Sequence, residues 1–370
     1  MIAEIKKRPI KPTFLDFFAG SGLVTEALKP CFKSLWANDI CEKKSMVYCA
    51  NHPRDIFHLG PIEEINGRSV PDATLSWASF PCQDLSLAGN MKGIDSSRSG
   101  LVWQWLRIMD EMQHKPPIVV AENVLGLVSA KNGEYYRRLH NSLVERNYLV
   151  GAIVLDAACW VPQSRPRVFV VGVINSVDIS HFCSVDPIWC HPTAVQRIGS
   201  AMNKWVWWKM RKPTPRKHNL EDIIDYDAPC DDSDKRKKVL SLVPDYHWKR
   251  VKQGVASGLR VFPGYRRIRN STQVLELRFD GLAGCLRTPE GGSSRQVVVI
   301  RRKDHYDTRL LTVRETARLM GLSDRYEIPG SYNDGYKAMG DAVAVPAARY
   351  LASNLLLPLT MPDIYCGDSL

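Results

Sequence analysis

Cys82 sits in the run Phe80-Pro81-Cys82-Gln83, after an apolar stretch and at the head of a polar, glycine-bearing loop, 83–93. A thiol so placed can attack an electron-poor carbon. An isolated Pro-Cys would instead read as a structural cysteine in a turn. Glu122 changes that weighing. It ends a second apolar stretch, 117–121, and is expected on the same sheet edge as Cys82. A carboxyl there can hydrogen-bond a base nitrogen and promote attack at a ring carbon. Gln163-Ser164-Arg165-Pro166-Arg167 adds two guanidinium groups just before the apolar run at Val168. They can hold a ring carbonyl or a phosphate. A further group of residues suits a cofactor. The Gly20-Ser21-Gly22 turn lets backbone approach a ligand at a helix N-terminus. Asp39 follows at about the 20-residue distance from which a carboxylate accepts from ribose hydroxyls, or it caps a helix from Ile40 onward. Together they indicate a nucleoside-containing cofactor, either a dinucleotide or S-adenosylmethionine.

These groups need a scaffold that gathers strand ends. Residues 13–18 form a short apolar run that stops at Ala19-Gly20-Ser21-Gly22, and 23–28 read as helix. Strand, glycine turn and helix in that order open a nucleotide-binding α/β unit. Further strands are expected at 34–38, 73–78, 117–121, 148–155 and 168–173, with a helix over 100–112. Alternating strands and helices imply a mostly parallel sheet with helices on both faces. Beyond residue 177 periodicity weakens and Pro, Trp and charge clusters appear. Order resumes with a strand at 296–301 and helices at 313–320 and 343–356. Residues 178–333 therefore read as a second, smaller domain inserted before the final helix.

The 370 residues carry 50 Lys and Arg against 39 Asp and Glu. Residues 201–270 hold 17 of those cations and 8 of those anions, hence nine of the eleven net positive charges. The same segment interleaves aromatic residues, as in Trp207-Trp208-Lys209 and Tyr265-Arg266-Arg267. That density suits a polyphosphate backbone; without a partner it is a solvated basic face. The hydrophobic share of 45% excludes long disorder. The N-terminus lacks a signal-peptide core, and no apolar run of roughly 18 residues is expected to span a bilayer. A cytoplasmic protein with reduced cysteines is expected. His181, Cys183, Cys190 and His191 lie close together but match no standard zinc spacing, so no metal is expected.

With these blocks in view, the sequence resembles the DNA cytosine-C5 methyltransferase family. The matching segments run from residue 16 to 22, 80 to 83, 122 to 124, 163 to 167, 314 to 321 and 340 to 343, in the family's order and spacing. The resemblance implies an α/β, Rossmann-like S-adenosylmethionine-dependent methyltransferase domain (1–177 and 334–370). It also implies a smaller target-recognition domain, 178–333, where the basic aromatic segment lies. Cys82 would attack C6 of a flipped-out cytosine. Glu122 would contact N3 and the amino group, Arg167 would contact O2, and Arg165 would support Glu122 or bind phosphate. Phe18 would pack on the adenine of S-adenosylmethionine and Asp39 would hold the ribose. Ala19, Gly20, Ser21, Gly22, Ile40, Ile62, Pro81, Leu101, Asp341 and Ala342 would complete that pocket. Gln83, Ser86, Arg266, Arg267 and Arg269 would meet double-stranded DNA. A monomer belongs to the same picture, acting either as an orphan methylase or with a cognate restriction endonuclease as partner. Two positions depart from the family pattern: Pro61 stands where an Asp is usual, and Asp341 where an Asn is usual. A transfer-RNA cytosine methyltransferase shares the fold and catalytic set, but the Cys-Phe-Thr tripeptide of that group is absent here. A non-catalytic DNA-binding relative would usually lack the cysteine or the glutamate, and both are present.

Overall fold

The computed structural model describes residues 11–81, 100–288 and 295–361. Strand β1 (Thr13–Phe17) is buried from Phe14 onward and takes parallel partners on both sides. One is β2 (Lys33–Asp39), which pairs with the short β3 (Phe57–Leu59); the other is β4 (Leu75–Ala78), which pairs with β5 (Ile118–Asn123). β6 (Tyr148–Asp156) and β7 (Pro166–Ile174) complete a seven-stranded sheet of order β3-β2-β1-β4-β5-β7-β6. Chain order reverses between β1 and β4, and the crevice at such a switch point lies outside the carboxyl ends of the strands. β7 runs antiparallel to both β5 and β6. The sequence reading of 168–173 as one more strand did not show this direction. The turn from β6 to β7 is too short for the crossover a parallel pair requires. That reversal brings the N-terminal end of β7, with Arg167, to the carboxyl end of β5, where Glu122 faces Phe169 and Asn123 faces Val168 in the ladder.

β4 and β5 are buried throughout, as expected for strands covered on both faces. One core cluster lies beneath Phe14, Trp77, Val120 and Phe169, the other beneath Leu15, Phe17, Val119 and Trp105.

A second sheet has four antiparallel strands in the order β11-β10-β8-β9. They are β8 (Val261–Arg269), β9 (Thr272–Leu277), β10 (Val297–Arg301) and β11 (Tyr306–Leu310). Asn270 and Ser271 join β8 to β9 with φ of 47° and 63°. Two positive φ values make the tight turn whose twist matches a hairpin. Val298 and Ile300 of β10 share the large core with Phe169, while Val297 and Val299 join Phe262, Leu275, Val243 and Val251 in a separate cluster. β10 is thus apolar on both faces because both are covered. Phe182, Cys190, Trp208 and Leu220, and the helix Val313–Leu319 through Ala317 and Leu319, also pack into the large core. The independent core of the smaller unit therefore lies within 239–310.

The chain from Tyr332 to Leu359 is long and apolar enough to cross a membrane, which corrects the expectation that no stretch reaches that length. Its Met339, Val345, Leu351 and Leu355 are buried in the large core instead. Among the described residues no group of three His, Cys, Asp or Glu stands together for a metal; His191 Nδ1 accepts from the Ile188 amide at 2.9 Å.

Candidate active site

β5 ends in Glu122-Asn123, both buried. The Glu122 carboxylate Oε1 lies 3.2 Å from Nε of Arg167. Burial raises the Glu122 pKa, and the Arg167 and Arg165 guanidiniums with the Ser79 hydroxyl oppose that rise without cancelling it. The carboxyl therefore keeps its proton to higher pH than an ordinary Glu, beside a cation that steadies its ionised form. Asn123 Nδ2 donates to the carbonyl of Phe80 at 3.0 Å. This ties the end of β5 to the chain two residues before Cys82. Cys82, Gln83 and Ser86 lie outside the described residues, and Pro81 is the last described residue before them.

Arg165 and Arg167 divide their work. Arg165 is 1% exposed. Its Nη1 donates to Leu286 O at 2.9 Å and approaches Cys285 Sγ at 3.2 Å; its Nη2 donates to Gly340 O at 2.8 Å and Ala342 O at 2.5 Å. Burial pulls its pKa down to about 10, with Arg167 adding repulsion. Both terminal nitrogens are thus occupied by carbonyls, which leaves none for the phosphate expected as one alternative. Arg165 instead brackets β7 to the segment carrying Asp341. Arg167 meets Glu122 on one side and Cys285 on the other, with Sγ 3.9 Å from each Nη. Burial would raise the Cys285 pKa, but Arg165, Arg167 and Arg287 outweigh it and hold the thiol below its ordinary value. Gln163 is fully buried; its Nε2 donates to Leu319 O at 2.8 Å and its Oε1 accepts from Leu286 N at 3.1 Å.

The cofactor-type residues form a second cluster on the same sheet edge. Phe18 has φ of 58°, a conformation costly for a bulky side chain and typical of functional turns. Gly20 and Gly22 follow with φ of 54° and 81°. A Cβ at Gly22 would stand 2.6 Å from the His52 ring, so only glycine fits. Ser21 Oγ donates to Ala338 O at 3.1 Å, and Tyr326 Oη donates to Ser21 O at 2.6 Å. The turn is therefore set by residues three hundred positions away. Asp39 Oδ2 accepts from Gly20 N and Oδ1 from Cys41 N, both at 2.8 Å. It serves the loop and the helix start together, and each oxygen retains a lone pair for a hydroxyl. Ile40 and Leu59 expose apolar surface beside it, Ile62 is buried, and Leu101 is half-buried at the head of helix Leu101–Glu111. A carboxylate with spare acceptors, a positive-φ glycine turn and exposed apolar side chains fit an adenosine-bearing ligand.

Asn123, Cys285, His52 and Tyr326 were missed from the sequence. Asn123 lay inside a matching block without an assigned role; the other three had no local signal, because their partners are distant in the chain. In the smaller sheet, Arg269 pairs with Glu276 at 2.6 Å. Arg267 lies 5.0 Å over the Tyr265 ring. Arg266 and Arg267 have no carboxylate partner among the described residues.

The model of the C-5 cytosine-specific DNA methylase family matches residues 12–356. The chain belongs to that family. Type II methyltransferase M.HhaI of Haemophilus parahaemolyticus is 27% identical to it over 359 residues, covering 95% of this chain and 97% of that protein. Type II methyltransferase M.HpaII of Haemophilus parainfluenzae is 27% identical over 354 residues, covering 94% and 89%. Among solved structures, the S. pombe Dnmt2 methyltransferase aligns with a TM-score of 0.62 at 18% identity, covering 95% of this chain and all of that one. The Entamoeba histolytica methyltransferase EhMeth aligns at 0.63 and 15%, covering 96% and 99%. At those identities the likeness concerns the fold. As a C-5 cytosine-specific DNA methylase, the protein transfers a methyl group to cytosine C5 in DNA with S-adenosylmethionine as donor.

Proposed function

We propose that this methylase modifies a specific double-stranded DNA site through transient attachment of Cys82 to C6 of an extruded cytosine. The observation that carries the assignment is the buried Glu122–Arg167 pair at the end of β5, beside a chain anchored at Phe80. A thiolate adds to C6 perpendicular to the ring, and in the duplex the stacked neighbours cover both faces, so the base must leave the helix, at a cost of a few kcal/mol. Cys82, as thiolate, forms a bond to C6. The protonated Glu122 donates to N3 as electrons move into the ring, and Arg167 holds the O2 side. C5 becomes enamine-like and nucleophilic. S-adenosylmethionine supplies an electrophilic methyl group when bound. Loss of the C5 proton to a solvent base, return of the N3 proton to Glu122 and departure of Cys82 as thiolate restore the aromatic ring. Phe18, Ala19, Gly20, Ser21, Gly22, Asp39, Ile40, Ile62, Pro81, Leu101, Asp341 and Ala342 would hold the donor. The bound Arg165 supports the site by fixing the Gly340–Ala342 carbonyls rather than by touching substrate.

Residues 178–333 act as the target-recognition domain in this reading, with Arg266, Arg267 and Arg269 on phosphate and Gln83 and Ser86 in the catalytic loop. The Type II names of the relatives support a role as the modification half of a restriction pair, working as a monomer in the bacterial cytoplasm. The test is duplex DNA carrying 5-fluorocytosine. The halogen cannot leave as the C5 proton does, so the adduct accumulates. Mass spectrometry should place the crosslink on Cys82, and Cys82→Ser should bind DNA without crosslinking. A crosslink on another residue would overturn the assignment.

A further inference from the structure

Lys44 lies in none of the sequence blocks with assigned chemistry. It occupies the third position of helix Glu42–Asn51, with its side chain 18% exposed. Its Nζ stands 2.7 Å from Asp341 Oδ2, while the Thr288 hydroxyl donates to Asp341 Oδ1. A Cβ built on Gly20 would lie 3.7 Å from Lys44 Cδ and 3.9 Å from Asp39 Oδ2. The lysine stem therefore passes over the glycine turn. Burial lowers the lysine pKa, but Asp341 and Asp39 outweigh it and raise the value, so the ammonium is charged.

The pair has a defined place between the two halves of the site. On one side is Asp39, bonded to Gly20. On the other are the carbonyls of Gly340 and Ala342, which flank Asp341 and accept from Arg165, the neighbour of the Arg167–Glu122 pair. A cofactor with its ribose at Asp39 and its methyl group facing the base at Glu122 must place its remaining end along this border. That end is an amino acid, with one ammonium and one carboxylate.

We infer that Lys44 and Asp341 form a zwitterionic cradle for the amino-acid end of S-adenosylmethionine, Lys44 facing the carboxylate and Asp341 the ammonium. The inference rests on the reading of Asp39 as the ribose acceptor. It also accounts for the departure at 341. An Asn there would offer a donor and an acceptor without charge, whereas Asp341 gains a counter-ion from Lys44 and the cradle stays neutral overall. A merely structural pair, closing one helix on the C-terminal segment, would not distinguish ligands.

The discriminating measurement is calorimetric binding to the DNA-free protein of two probes, S-adenosylhomocysteine and 5′-methylthioadenosine, which lacks the amino-acid end. Lys44→Met should weaken S-adenosylhomocysteine about tenfold or more, the scale of a lost charge-assisted contact, and leave methylthioadenosine within about twofold. Lys44→Arg should restore most of the difference. Equal weakening of both probes, or of neither, would overturn the cradle. Asp39→Ala separates the two levels of the argument: it should weaken both probes, and an unchanged affinity for both would remove the ribose reading itself. The unmutated protein supplies a check free of folding effects. It should bind decarboxylated S-adenosylmethionine about tenfold more weakly than S-adenosylmethionine, and equal affinities would again count against Lys44.

Discussion

Glu122 has its proton governed first by burial and only then by Arg167 and Arg165. Its raised pKa gives the acid form a longer range, so methyl transfer should fall on the alkaline side as that proton is lost. Glu122→Gln keeps the shape and removes the proton. The single-turnover methylation rate should drop about 10²–10⁴-fold, the usual contribution of a placed acid. The alkaline limb of its pH profile should flatten, with S-adenosylmethionine affinity within about twofold. Loss of affinity in step with rate would mark Glu122 as structural. Asp16 offers a different test. It is fully buried in β1, with Oδ2 accepting from Thr25 Oγ1 at 2.8 Å and Oδ1 unpartnered. Burial, the Asp39 charge adding to it, raises its pKa from 3.8 to about 7. A raised folded pKa means the fold binds the proton more tightly than the unfolded chain. The stabilisation is complete below about pH 4 and is lost as pH rises through about 7. The thermal midpoint of Asp16→Asn, measured relative to the native protein, should therefore rise between pH 5 and pH 8. A gap constant across that range would show that Asp16 does not titrate there.

At the scale of elements, the Arg-Glu block has a physical role that its sequence did not disclose. Glu315 is fully buried at the start of helix Val313–Leu319. It completes a capping box with Thr312, accepts from the Asp225 amide at 2.8 Å, and receives Arg309 through both terminal nitrogens at 2.6 and 2.7 Å. Arg309 closes the loop by donating to Asp225 O at 2.6 Å. One ion pair thus joins β11, the helix and the 225 turn. Removing one partner strands the other charge in the interior, a loss of roughly 3–5 kcal/mol. Chemical denaturation of Glu315→Ala should show that loss at unchanged m-value, and a loss under about 1 kcal/mol would mean that solvent reaches Arg309. Tyr265 makes a comparable link. Its hydroxyl donates to Cys285 O at 2.5 Å, so the strand carrying Arg266 and Arg267 is tied to the residue that faces the Arg165 and Arg167 guanidiniums.

For the whole molecule, several cations are held by carboxylates within the protein, each pair leaving the net excess unchanged. Arg236 pairs with Asp307, Lys235 with Asp231, Arg260 with Glu221 and Arg269 with Glu276. Arg266 and Arg267, half-buried in β8, have no carboxylate partner among the described residues. Each phosphate contact contributes about one unit to the slope of log affinity against log salt. Neutralising Arg266 and Arg267 should therefore lower that slope by about 2. Arg269→Gln alone should lower it by less, because Glu276 already holds the guanidinium. An unchanged slope in the double variant would move the phosphate-binding face to another part of the surface.

Sequence alone pointed to the groups proposed to carry the chemistry and to the strands that precede them. Apolar runs ending in Asp39, Cys82 and Glu122, with a glycine turn after β1, require little beyond local periodicity and residue type to be recognised. Tertiary structure decided how those ends meet. Nothing local distinguishes β7 as the antiparallel strand, makes Arg165 a bracket rather than a phosphate ligand, or pairs Lys44 with a carboxylate from the far end of the chain. The physical reason is that burial and charge pairing depend on neighbours in space. Ser21 and Ala338 share a hydrogen bond, while the sequence records only that more than three hundred residues separate them. The two-sided burial of β10 follows the same logic: its unbroken run of Val and Ile shows that both faces are covered, and only the packed molecule shows by what.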